Sequence, residues 1–151
     1  MTKIKTFPVA SLKLDPENPR LPESLRGAHQ SELLRYLYDH GALDELAQSY
    51  IDNGFFPHEP ILVVKERGQV FVVEGNRRIA ALFILHSRPE ADGLSFAGIN
   101  PTRTRLAALL DVPAFELTNR EDAHRFLGFR HIGGIKTWDA DAKAPGFRRS
   151  L

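Results

Sequence analysis

The chain has 151 residues and a mass of 17.0 kDa, 42% hydrophobic and 26% charged, the size and mixture of one globular domain. It holds no cysteine, which excludes disulfides, thiolate zinc sites, iron–sulfur ligation and thiol catalysis. The net charge of +1 hides an asymmetry: residues 1–75 carry −3 and residues 76–151 carry +4, with arginine supplying all of the later positive charge except Lys136 and Lys143.

In chain order, Met1–Lys5 lacks the apolar core of a signal peptide, and the longest apolar run, Ile79–Leu85, is far short of the roughly 20 residues of a membrane span. A soluble cytoplasmic protein is expected. Ile4–Leu14 mixes apolar Ile4, Phe7, Val9 and Leu12 with lysines in a strand-like way, and Asp15–Pro22, with three prolines, forms an ordered loop. Ser31 caps a helix to about Tyr38. A second helix over Leu43–Asp52 carries a Leu43, Leu46, Ala47, Tyr50, Ile51 stripe and ends at Asn53-Gly54. Ile61–Lys65 and Val70–Glu74 read as a valine-rich hairpin around Glu66–Gln69. After Gly75, with Asn76 as N-cap, Arg77–His86 is apolar nearly all round, a helix expected at the centre of the domain. Ser87–Thr104 is long for a loop and suits a lid, a partner surface or an insertion. A short helix over Arg105–Leu110 leads to a strand at Val112–Leu117. Thr118-Asn119-Arg120-Glu121 has the capping-box pattern and opens a helix to about Phe129.

The strongest chemical signal is Val73-Glu74-Gly75-Asn76-Arg77-Arg78, a strand, a turn and a helix start. Gly75 permits a sharp turn and a close backbone approach, and the first-turn N–H groups of the helix favour an anion. Arginines in that turn oppose the helix dipole by a few tenths of a kcal/mol each, about the scale a bound phosphate would reverse. The same residues also fit a surface-exposed arginine pair. Glu74, at the strand end, suits a magnesium ligand, a general base or an ion pair with Arg77 or Arg78. Asp15 and Glu17 are either cleft-facing or ordinary loop carboxylates. Arg130 and His131 before Gly133-Gly134 fit an anion nest, and equally a helix C-cap. Trp138 is expected to be buried. The six histidines show no zinc spacing, and no glycine-flanked serine follows a strand.

Gly75-Asn76-Arg77-Arg78-Ile79-Ala80-Ala81 resembles the glycine–acidic–Arg–Arg box of ParB N-terminal domains and the glycine–Cys–His–Arg box of sulfiredoxins, two families with one fold. The upstream order agrees. Asn18-Pro19 and Arg20 sit in the proline-rich loop, Leu46-Ala47-Gln48-Ser49-Tyr50-Ile51 follows the Leu-Ala-x-Ser-Ile element of ParB, and Gly54 and Pro60-Ile61-Leu62-Val63-Val64 come after it. The resemblance spans about residues 4–130 and implies a mixed α/β ParB/sulfiredoxin-like nucleotide-binding domain over 1–130, with 131–151 as an extension. That extension packs on the domain or leads to a further one. Asp141–Leu151 has no convincing finish, which favours an excised N-terminal piece.

The resemblance implies phosphate contacts from Gly75, Asn76, Arg77 and Arg78, and a nucleoside cleft bordered by Asn18, Arg20, Gly54, Phe55 and Phe56. Asn119, Arg130 and His131 are second-tier positions. ParB proteins bind CTP with magnesium as a clamp switch on DNA, and sulfiredoxins use ATP to phosphorylate a sulfinic acid. A related branch phosphorylates free serine. Asn76 stands where sulfiredoxins have cysteine, so sulfinic-acid repair is excluded, and it also replaces the acidic residue of the ParB box. The expected function is binding of a nucleoside triphosphate (ATP or CTP) with magnesium, with slow hydrolysis or phosphoryl transfer as a switch in a DNA-related bacterial or phage process. The alternative is a DNA-binding or nuclease-like module using Arg103, Arg105, Arg120, Arg125, Arg148 and Arg149. A third reading is an interaction domain that keeps the fold without the ligand. Oligomeric state is left open, a dimer being compatible.

Overall fold

The computed structural model describes residues 3–55 and 61–132, and the side chains of 4–55 and 61–126. Phe56, Gly133, Gly134, Trp138, Arg148 and Arg149 lie outside the described residues, as do the side chains of Arg130 and His131. A five-stranded mixed sheet carries helices on both faces, the α/β class expected. Its strands are β1 (Lys3–Pro8), β2 (Leu12–Leu14), β3 (Ile61–Glu66), β4 (Gln69–Glu74) and β5 (Asp111–Leu117), in the spatial order β1-β5-β3-β4-β2. β1 runs antiparallel to β5 and β3 antiparallel to β4, while β5–β3 and β4–β2 are parallel. No helix among the described residues is long and apolar enough to cross a membrane.

The first correction concerns Ile4–Leu14. It is two strands on opposite edges of the sheet, joined by a 3-10 turn at Val9–Ser11. The apolar spacing that suggested one strand instead buries Val9, Leu12 and Leu14 along a crossing beneath the central helix.

β3 shows why the sheet sits at the centre. Ile61, Leu62, Val63 and Val64 are all buried, as expected of a strand covered on both sides. Alternation then sorts them: Ile61 and Val63 join the main core, while Leu62 and Val64 meet Phe71, Leu117 and Ala123 on the other face. The hairpin turns through Arg67 and Gly68, both at positive φ, as a two-residue turn matched to strand twist requires.

Helices α1 (Gln30–His40), α2 (Leu43–Asn53) and α3 (Asn76–Leu85) build the main core, with α3 in the middle. Ile79, Ala80, Ala81, Leu82 and Phe83 are fully buried, as the sequence predicts. α1 begins before the expected Ser31 cap, because the Glu32 carboxylate accepts the N–H of His29. The segment after α3 is no lid: Ala91 is buried, Leu94, Phe96 and Ile99 pack on the core, and Tyr38 Oη donates to the Ser95 carbonyl at 2.8 Å. A short α4 (Arg103–Ala107) precedes β5. On the opposite face α5 (Arg120–Ile132) runs past the predicted end, so Arg130 and His131 lie in the helix rather than after it. Its cap is Asn119, whose Oδ1 accepts the N–H of Asp122 at 2.9 Å, one residue later than the Thr118 box predicts.

Candidate functional site

β4 ends at Glu74 and α3 begins at Asn76, leaving Gly75 to make the whole turn. Its φ of +106° suits glycine. A Cβ there would lie 2.4 Å from Ile61 Cδ1 and 3.2 Å from Arg78 Nη2, so the turn is closed to any larger residue and the Arg78 guanidinium lies folded over it. Gly75, not Asn76, is the N-cap, and its carbonyl accepts the first helical bond from Ile79 N–H at 3.1 Å. The N–H groups ahead of that bond are the part of a helix without intrahelical partners, at its positive end.

Asn76 is inside the helix and buried. Its Oδ1 accepts the N–H of Asp15 at 2.9 Å and its Nδ2 donates to the Val72 carbonyl at 2.8 Å. The side chain thus ties the proline-rich loop to the strand that delivers the turn. That loop is further ordered by Asn18, whose Oδ1 accepts Arg20 N–H at 3.0 Å. The backbone of Arg20 is thereby fixed beside the turn, and its guanidinium reaches Glu74, with Nη1 to Oε1 at 3.5 Å. The ion pair shown by Glu74 is therefore with Arg20, rather than with the two arginines nearer in sequence.

Arg77 reaches the turn between α1 and α2, where Nε donates to the carbonyl of Gly41, the C-cap of α1, at 2.8 Å. Burial holds its pKa below the usual arginine value, and Arg20 and Arg78 push the same way while Glu45 opposes them. Three guanidinium groups, of Arg20, Arg77 and Arg78, thus share the start of α3. Sequence reasoning placed Arg20 at the edge of a nucleoside cleft and missed its part in this cluster; the Asn-Pro-Arg loop gives no local signal of it.

Gly54 and Phe55 lie at the C-terminal end of α2. Gly54 ends α2, its N–H donating to the Tyr50 carbonyl, and Phe55 meets the Tyr50 ring edge-on at 5.2 Å. Asn119 serves as the α5 cap described above.

Arg120, marked in the sequence as a DNA-facing residue, is instead the centre of a structural network. Nη1 donates to Asp15 Oδ2 at 2.9 Å, while Nε and Nη2 donate to Glu66 Oε2 and Oε1 at 2.9 and 3.1 Å. The hydrogen bond to Asp15 holds its pKa above the usual value despite burial, with Glu66 adding to the effect. Asp15 is buried, and its other oxygen accepts Glu17 N–H at 2.9 Å, so it is a structural carboxylate and not a cleft acid. Arg105 donates to the Ile51 carbonyl and Arg125 pairs with Asp122, so these two are also engaged within the chain. Among the described residues no group of three or more His, Asp or Glu side chains gathers as a metal cage.

The chain is similar in structure to the C-terminally truncated chromosome-partitioning protein ParB from Caulobacter crescentus complexed with CTP-gamma-S. The TM-score is 0.49 with 18% identity, covering 90% of this chain and 56% of that one. It is also similar to sulfiredoxin from Arabidopsis thaliana, with a TM-score of 0.38 and 16% identity, covering 83% of this chain and 97% of that one. The chain thus spans little more than half the length of the ParB structure. No family model and no curated protein matches it. ParB and sulfiredoxin are the two families that the Gly75–Ala81 box resembles; likenesses of this strength carry no function across.

Proposed function

We propose that the Gly75 turn holds the phosphates of a nucleoside triphosphate. The observation that carries this reading is the gathering of the Arg20, Arg77 and Arg78 guanidinium groups at the N-terminus of a ten-residue helix, where the pKa of Arg77 is already depressed by burial and by the other two. A polyphosphate adds the negative charge that relieves this repulsion, and it meets the helix dipole in the favourable sense. Gly75 lets it approach the backbone. Magnesium bound with nucleotides is commonly held by one or two carboxylates together with the phosphates, and Glu74 supplies one carboxylate at the strand end. There the ion would neutralise phosphate charge. Where it does not hold magnesium, Glu74 would serve as the base that takes a proton from an acceptor hydroxyl or water. Asn76 contributes by fixing the turn, since its side-chain amide is engaged with Asp15 and Val72.

The test is a thermal-shift panel with ATP, ADP, CTP, GTP and UTP, each with and without magnesium, on the wild type and on Arg77→Ala/Arg78→Ala. A nucleotide at a hundred times its Kd adds about 2.7 kcal/mol, which is several degrees at this size. The expected result is a shift with at least one nucleotide that disappears in the double variant. No shift with any nucleotide would overturn the reading.

A further inference from the structure

The Arg20–Glu74 pair lies next to the Gly75 turn, and its geometry differs from that of the Arg120 ion pairs. At 3.5 Å it is a long contact, against 2.9 Å for both Arg120 pairs. Glu74 sits at the end of a central strand, next to Gly75, opposite Leu62 across the ladder. Arg20 is anchored only through its backbone, by Asn18, and its side chain keeps 23% of its surface exposed. The carboxylate is carried on a short side chain from a paired strand and the guanidinium on a long one from a loop, so the arginine is the partner with the wider reach. A phosphate beside Gly75 would also stand beside the Glu74 carboxylate, whose ion-pair partner is Arg20.

We infer that Arg20 is an exchangeable cation: paired with Glu74 as it stands, it transfers to a phosphate bound at the Gly75 turn and leaves the Glu74 carboxylate free. This rests on the phosphate reading of the turn and adds a regulatory role for Glu74. The acid competes with the anion for Arg20, so weak anions are rejected and a multiply charged phosphate chain is selected. Release of the carboxylate only when phosphate is present also ties its availability to the ligand.

The experiment measures binding of inorganic tripolyphosphate in EDTA by isothermal titration calorimetry. It compares the full chain with Glu74→Gln, Arg20→Gln and the double variant, with unfolding curves confirming that each is folded. Exchange predicts that Glu74→Gln tightens binding by about tenfold, because the competitor and a like charge are both removed. Arg20→Gln should weaken it by a similar factor. In the Arg20→Gln background the gain from Glu74→Gln should shrink to the part owed to charge repulsion alone. A gain equal or larger in that background would mean that Arg20 stays on Glu74 as a fixed neutraliser, and would overturn the exchange while leaving the phosphate site intact. Failure of wild type and Glu74→Gln alike to bind tripolyphosphate would overturn the phosphate site and the exchange together.

Discussion

Helices α3 and α5 both carry arginine in the first turn, against the preference of a helix N-terminus for acids, and the surroundings resolve that conflict in opposite ways. At the start of α5, Arg120 meets Asp15 and Glu66 with short hydrogen bonds and lies over the Phe71 ring at 5.9 Å. Folding strengthens its hold on the proton. At the start of α3, Arg77 is half-buried near Arg20 and Arg78, and folding weakens that hold. The same residue type in the first turn of a helix is thus a structural tie in one place and a source of electrostatic tension in the other. The difference separates a charge that completes the fold from charges suited to a ligand.

The comparison breaks most visibly at Asp15. Asp15→Ala removes a nearly inaccessible carboxylate, leaves Arg120 with Glu66 alone and frees the turn at Glu17. It should cost about 2–4 kcal/mol, read as a lower denaturant midpoint at unchanged slope. At the other pole, Arg77→Gln gives up the bond to the Gly41 carbonyl but relieves the repulsion. Its expected cost to the unliganded protein is below about 1 kcal/mol. A loss as large as that of Asp15→Ala would make α3's arginine another structural tie.

The smallest effect belongs to an ion pair on the open sheet edge, Lys5 Nζ to Glu116 Oε1 at 2.7 Å, which calibrates what exposure does to such contacts. The hydrogen bond from Lys5 holds the Glu116 pKa below the usual carboxylate value, with burial opposing. A depressed carboxylate stabilises the fold above its unfolded pKa of about 4.3, and that contribution is lost as pH falls through the folded value. Lys5→Ala should raise the Glu116 midpoint toward the ordinary range, seen by carboxyl NMR, with little change in stability at neutral pH.

Much of this was legible in the sequence. The hairpin, the buried α3 and the turn at Gly75 follow from valine runs, an all-apolar helix and a glycine between strand and helix, all of them local signals. The two arginines of α3 stood out by the dipole argument. That argument applies equally to Arg120, but its partners Asp15 and Glu66 are 105 and 54 residues away, and no local pattern announces them. Asn76 misled for a related reason. A residue type that caps helices was read as a cap, whereas a contact 61 residues back in the chain sets its role. Local rules found where charge was anomalous; only the tertiary structure revealed which anomaly was already resolved.

The crossing of the first segment from one edge of the sheet to the other bears on how the chain is made. β1 pairs with β5, so Lys5 waits for a partner 111 residues downstream, while β2 needs only β4. During synthesis the strand near the N-terminus therefore leaves the ribosome long before its ladder exists, with Ile4 and Phe7 unpaired in the interval. Such distant pairing slows folding and lengthens exposure to aggregation. A chaperone that shields nascent chains would have its longest task on this protein at β1.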